Sequence, residues 1–296
     1  MNQADGPGTV RAGIISSDQG RPDTGSSSSG ESPLQRTAAN PSIANPARVY
    51  DALLGGKDNY AADRAVAEKL AAAKPALLAN VRANRAYLGR VVRHLATECG
   101  IRQFLDLGTG LPSLDNTHEA AQRAAPSSRI VYVDNDPVVL AHARALLVST
   151  PEGATSYLSA EIREPEAVLE RAAETLDFGQ PIAVMLLGVL YMIPDADQPY
   201  RTVATYMDAV VPGSYLAISH PASDVDAEEA AQAAREYDNA LPTTQTNRNR
   251  AQVIKFFDGL ELIEPGVVQL NKWRPDPGDV EPGIEISSWA GLGLKH

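Results

Sequence analysis

Short apolar runs alternate with amphipathic stretches along most of this chain. The first run, Phe104-Leu105-Asp106-Leu107 within Gln103–Leu107, leads into Gly108-Thr109-Gly110, and a helix is expected within a few residues. Ile130-Val131-Tyr132-Val133-Asp134 is a second strand ending in an acid, followed by a helix with Val138, Val139, Leu140, Ala143, Leu146 and Leu147 on its apolar side. Thr155–Ser159 reads as a third strand, and Pro165 suits the first turn of the helix after it. Ile182–Leu187 is continuously apolar, as a strand buried on both faces should be. Helix Gln198–Val211 and strand Tyr215–Ser219 complete another repeat. Such alternation predicts a parallel, doubly wound sheet.

The pattern changes after His220. Helices are expected over Ala227–Ala240 and Asn249–Phe257, then strands over Leu260–Leu270 and Ile284–Leu294, joined by a Pro/Gly-rich loop through Trp273 and Pro282. A terminal hairpin has no crossover helix, so its strands should be antiparallel. The expected fold is α/β: a doubly wound, mostly parallel seven-stranded sheet with an antiparallel C-terminal hairpin and an N-terminal helical extension.

Residues 1–40 are rich in Gly, Ser, Pro, Asp and Gln, with Ser26–Ser29 as a low-complexity knot. Too little apolar surface is present to offset ordering entropy, so a disordered tail is expected there. One domain should span residues 41–296, with 41–100 as its helical extension. Gly55-Gly56 breaks any helix begun near Arg48, and Asp58 or Asn59 is placed to cap a helix over Ala61–Ala73. Another helix opens at Pro75, with Arg82, Arg85, Arg90 and Arg93 read as its solvated face.

Composition narrows the function classes. In 296 residues, Asp and Glu outnumber Lys and Arg by 37 to 26, a formal charge of -11. That balance disfavours a nucleic-acid partner, which wants a basic face. The single cysteine, Cys99, forms no internal disulfide and fits a reducing cytoplasm. The longest apolar run, Ile182–Ile193, is well short of the ~20 residues that span a bilayer. No signal peptide is read at the N-terminus, and no metal-ligand set stands out.

A strand, a glycine turn and a helix start together hold nucleotide-like ligands in α/β sheets. Asp134, 28 residues after Asp106, is placed to accept ribose hydroxyls. This spacing suits dinucleotides and S-adenosylmethionine alike. A dinucleotide fingerprint wants a third glycine where this chain has Ser113, after Pro112, and a cofactor without phosphates does not. His118 and His220 are the candidate bases, His220 the better placed because it ends the fifth strand.

Leu105–Gly110, Val133–Pro137 and Met185–Asp195 resemble the Rossmann-like S-adenosylmethionine-dependent methyltransferases. With ARVYDALLGGKDNYAADR, SYLAISH and FFDGLELIEPGVV, the chain resembles more narrowly an actinobacterial family of such enzymes, from about Pro41 nearly to the C-terminus. The resemblance implies S-adenosyl-L-methionine as cofactor. Gly108, Thr109 and Gly110 would lie beside its methionine part and ribose. Asp134 would hold the ribose hydroxyls and Asn135 would flank the adenine. Glu161 and Ile162 would follow the third strand, where relatives carry an Asp, and Leu187 and Gly188 would border the cofactor. Many relatives have a histidine where this chain has Tyr191-Met192. Apart from the resemblance, Tyr50, Lys57, Asn59 and Tyr60 sit in a stretch dense in turn and polar residues, which reads as a lid over the cofactor ahead of a structural helix junction. The implied reaction is methyl transfer to a small-molecule acceptor in the cytoplasm, without nucleic acid or membrane. A non-catalytic S-adenosylmethionine-binding module and an NAD-dependent oxidoreductase are the alternatives.

Overall fold

Gln103–Leu107 (β1) is buried along all five residues, as an interior strand of the sheet should be. In this computed structural model, which describes residues 40–112, 115–146, 148–277 and 285–296, β1 pairs in parallel with Arg129–Asp134 (β2) and Ala183–Leu187 (β4). Ala154–Ser159 (β3) extends the sheet beyond β2, and Tyr215–Pro221 (β5) extends it beyond β4. The expected tail over residues 1–39, and Ser113, Leu147, Pro282 and Ile284, lie outside the described residues.

The full strand order is β3-β2-β1-β4-β5-β8-β6. Strand β8 (Ser288–Leu294) runs antiparallel to β5, to β6 (Glu261–Leu262) and to β7 (Val268–Gln269). The expected long strand over Leu260–Leu270 is therefore two dipeptide strands, because Gly266, at a φ of 80°, turns the chain between them. Both lie against β8, giving eight strands across seven sheet positions.

Alternation along the strands builds two cores. Leu105, Leu107, Val131, Val133, Val184 and Leu186 point to one face, with Val168, Val203 and Tyr206 against them. These come from the helices Pro165–Ala172 and Pro199–Asp208. Phe104, Ile130, Tyr132 and Met185 point to the other face, covered by Tyr87, Val91 and Leu95. Each such side chain, fully buried, contributes roughly 1.5–3 kcal/mol.

Three helices precede β1, namely α1 (Pro46–Leu53), α2 (Ala61–Ala73) and α3 (Leu77–Thr97), and α4 (Thr117–Ala124) follows it. Asn45 caps α1, accepting from the Ala47 N–H at 2.9 Å, and its own amide donates to Asp136 at 2.7 Å. Arg48, 1% exposed, pairs at 2.8 Å with Asp63, 0% exposed. Asp63 also accepts from the Tyr60 N–H, so Tyr60, not Asp58 or Asn59, stands at the start of α2. Val49, Val66 and Leu70 pack with Tyr237 and Leu241 in a third core, joining the extension to the helix Ala227–Ala240.

The arginines of α3 do not share one solvated face. Arg90 is buried and donates to the carbonyls of Leu270 and Trp273 at 2.6 and 3.0 Å, and Arg85 is half-buried. The C-terminal segment folds back over α3, with Trp273 fully buried edge-on to Tyr87.

Candidate active site

Strand order reverses between β1 and β4, leaving a crevice outside their carboxyl ends where open α/β sheets take ligands. A cavity of about 400 Å³ opens there, within the roughly 300–1,000 Å³ of small-molecule sites. Gly108, Thr109, Gly110, Asp134, Asn135, Glu161, Ile162, Leu187, Gly188 and Tyr50 all line it. Asn59 does not. Its amide holds the Asp51 carboxylate at 2.8 Å and the Gly56 carbonyl at 3.0 Å, so Asn59 shapes the turn between α1 and α2.

Gly108 has a φ of 75°, and a Cβ there would stand 2.3 Å from Val189 Cγ2. Only glycine lets β1 turn at this point against the loop after β4. Asp134 then organises the turn: Oδ2 accepts from the Gly110 N–H and Oδ1 from the Asp136 N–H, both at 2.9 Å. Each oxygen keeps a further lone pair for a ligand hydroxyl. The cap of the following helix is made by Asp136, which accepts from the Val138 N–H.

Helix α4 begins seven residues after Gly110, later than expected, and none of its residues lines the cavity. Its early groups are engaged elsewhere: the His118 N–H donates to the Tyr132 hydroxyl and the Thr117 hydroxyl to Asp106. No N–H of this helix start is offered to a pyrophosphate.

The charge of the cavity points the same way. Asp106, Asp134, Asp136, Glu161 and Asp197 line it against Arg85 and Arg163. Five carboxylates around two guanidiniums suit a cationic sulfonium and repel a pyrophosphate. Burial pushes Asp134 up to about 6, against the N–H groups of Asp136 and Gly110. Burial likewise pushes Asp106 up to about 6, against the Thr117 hydroxyl. For Glu161, burial raises the carboxyl, but Arg163 at 3.1 Å and the Asn135 amide at 3.0 Å outweigh it and hold the group below its usual range.

A second chamber of about 120 Å³ adjoins the first, and Pro46, Tyr50, Asn84, Gly188 and Tyr191 line both. Asn84 stands at the junction, donating to the Tyr50 hydroxyl at 3.0 Å and accepting from Ser219 at 2.6 Å. A Cβ on Gly188, whose φ is 68°, would stand 3.2 Å from Asn84 Nδ2. The Tyr191 ring meets Tyr237 edge-on at 5.8 Å.

Neither histidine is set up as a base. His118 lines neither cavity; its Nδ1 lies 2.9 Å from the Tyr132 hydroxyl. His220 lines the second chamber, but Nδ1 donates to the Pro221 carbonyl and Nε2 accepts from Arg248, each at 2.9 Å. Burial pulls His220 down to about 3, so it stays neutral. Arg248 is fully buried, and also bonds Asp195 and the carbonyls of Leu190 and Ile193. It therefore fixes the loop after β4. Among the described residues no cluster of three or more His, Cys, Asp or Glu could hold a metal, and no helix is long and apolar enough to cross a membrane.

The sheet, the glycine turn and the acid ending β2 define a Rossmann-like methyltransferase fold. The chain belongs to the S-adenosyl methyltransferase family, whose model matches residues 33–296. The cofactor of that family is S-adenosyl-L-methionine. A DUF574 family protein from Streptomyces avermitilis is 41% identical, with a TM-score of 0.83 over 86% of this chain and 98% of that one. A candidate methyltransferase from Thermobifida fusca is 42% identical, with a TM-score of 0.78 over 87% and 97%. No curated protein matches the chain.

Proposed function

We propose that this chain, an actinobacterial and cytoplasmic member of its family, transfers a methyl group from S-adenosylmethionine to a small-molecule acceptor. The supporting observation is the pair of cavities meeting at Asn84, Gly188 and Tyr191. The cofactor supplies a methyl group activated on a sulfonium sulfur. Asp134 takes the ribose hydroxyls, and the Gly108–Gly110 backbone lies alongside. Asn135, Glu161 and Ile162 hold the adenine side, and Leu187 and Gly188 border the methyl donor. Arg85, absent from the sequence candidates, complements the amino-acid carboxylate. Helix α1 acts as the lid, contributing Pro46 and Tyr50 to both cavities.

Positioning and exclusion of water are what these residues supply. With both ring nitrogens of His220 engaged, no histidine takes a proton from the acceptor. Calorimetry should give saturable binding of S-adenosylhomocysteine and none of NAD, and a panel of small acceptors should yield a methylated product by mass spectrometry. NAD binding in place of S-adenosylhomocysteine would sink the reading. Cofactor binding without turnover on any acceptor would leave a binding module.

A further inference from the structure

We infer that the second chamber takes its acceptor by a carboxylate, with Lys74 as counter-ion, so that the substrate is a small, ring-sized carboxylic acid. This rests on the reading of the larger cavity as the cofactor site. Lys74 closes the C-terminal end of α2, is 5% exposed, and lines the second chamber. Among the described residues, nothing makes a hydrogen bond or an ion pair with its ammonium. The charges that bear on it are Asp226 and Glu229 at the start of the helix Ala227–Ala240, both exposed and neither paired with it. Burial draws the amine below its usual range. An ammonium on so enclosed a side chain is poorly hydrated, and a ligand carboxylate entering the chamber would supply the partner that no side chain gives it.

The other walls set the body of the ligand. Leu53, Leu70, Leu77 and Val81 give an apolar surface, and Tyr50, Tyr191 and Tyr237 add rings. At about 120 Å³, the space is close to the roughly 150 Å³ of an apolar cavity that holds benzene. Lys74 does not line the cofactor cavity, whereas Asn84 and Gly188 line both. The carboxylate thus sits away from the cofactor and the opposite end of the acceptor faces it.

The test uses the full chain saturated with S-adenosylhomocysteine, which blocks the larger cavity, and titrates benzoate against its neutral isostere benzamide by ligand-observed NMR. Benzoate should bind saturably and benzamide at least about tenfold more weakly. Lys74→Met should weaken benzoate at least about tenfold while leaving S-adenosylhomocysteine affinity unchanged, and Lys74→Arg should retain benzoate. Equal binding of acid and amide, undiminished benzoate binding by Lys74→Met, or no benzoate binding by the loaded protein overturns the carboxylate assignment. Should Lys74→Met fail to fold, which loss of S-adenosylhomocysteine binding would report, the wild-type contrast and Lys74→Arg decide. Failure of the wild-type protein to bind S-adenosylhomocysteine overturns instead the cofactor reading beneath it.

Discussion

The two adjoining cavities are made by different means. The larger is floored by backbone at the ends of β1, β2, β3 and β4, where parallel pairing holds Gly108, Asp134 and Gly188 in place. The smaller is walled mainly by side chains from α1, α2, α3 and the helix Ala227–Ala240. Their charges are opposed as well: carboxylates dominate the first, and a single lysine, Lys74, marks the second. A floor tied into the sheet is rigid and suited to an invariant cofactor. Helix walls can be re-lined residue by residue without disturbing that floor.

The largest effect expected to break this division falls on the helix wall. Asp63→Ala takes away the carboxylate that the buried Arg48 pairs with at 2.8 Å, which should cost about 3–5 kcal/mol in a urea melt. A loss under about 1 kcal/mol would show that α1 is held by other contacts. Next comes the floor: Gly108→Ala combines a φ of 75° with a Cβ 2.3 Å from Val189. It should cost about 1–3 kcal/mol and abolish S-adenosylhomocysteine binding. Retained affinity would mean that the turn tolerates a side chain.

Acidification separates stability from binding. Asp106 and Asp134 have folded-state values of about 6, above the roughly 3.9 of an unfolded aspartate. Between those values the folded chain binds more protons than the unfolded one. Their contribution to stability is thus fully present below about pH 4 and lost as pH rises through about 6, by up to about 3 kcal/mol each. Cofactor affinity should move the other way, falling by up to about tenfold per pH unit below pH 6 as the Asp134 carboxylate is protonated. Calorimetry across pH 5–8 checks the sign, with a flat affinity profile as the contrary result. The smallest effect is expected at Glu161→Gln, about twofold to fivefold in cofactor affinity, because the carboxylate already serves Arg163 and Asn135.

The larger cavity was the more legible in sequence, since its parts lie at strand ends marked by local patterns: the glycines after β1 and the acid ending β2. Side chains whose destination depends on distant packing were not. Arg85 and Arg90 have the same helical spacing as surface arginines, yet one lines the larger cavity and the other is bound by the Trp273 and Leu270 carbonyls. His220 was rightly placed at the end of β5, but Arg248, 28 residues on, takes the nitrogen a base would need. Asn59 stood in a stretch dense in polar residues because the turn itself requires them. The second chamber left no motif, since Val49, Leu70 and Tyr237 come from three separate helices that meet only in the folded chain.

If Asp134, held by two backbone N–H groups, binds the cofactor ribose, its loss must weaken the cofactor. The decisive measurement is calorimetric titration of S-adenosylhomocysteine into wild-type protein and Asp134→Ala at pH 8. Removing charged hydrogen bonds worth ~1.5–3 kcal/mol should lower affinity roughly tenfold to hundredfold. Equal affinities for the two proteins would contradict it.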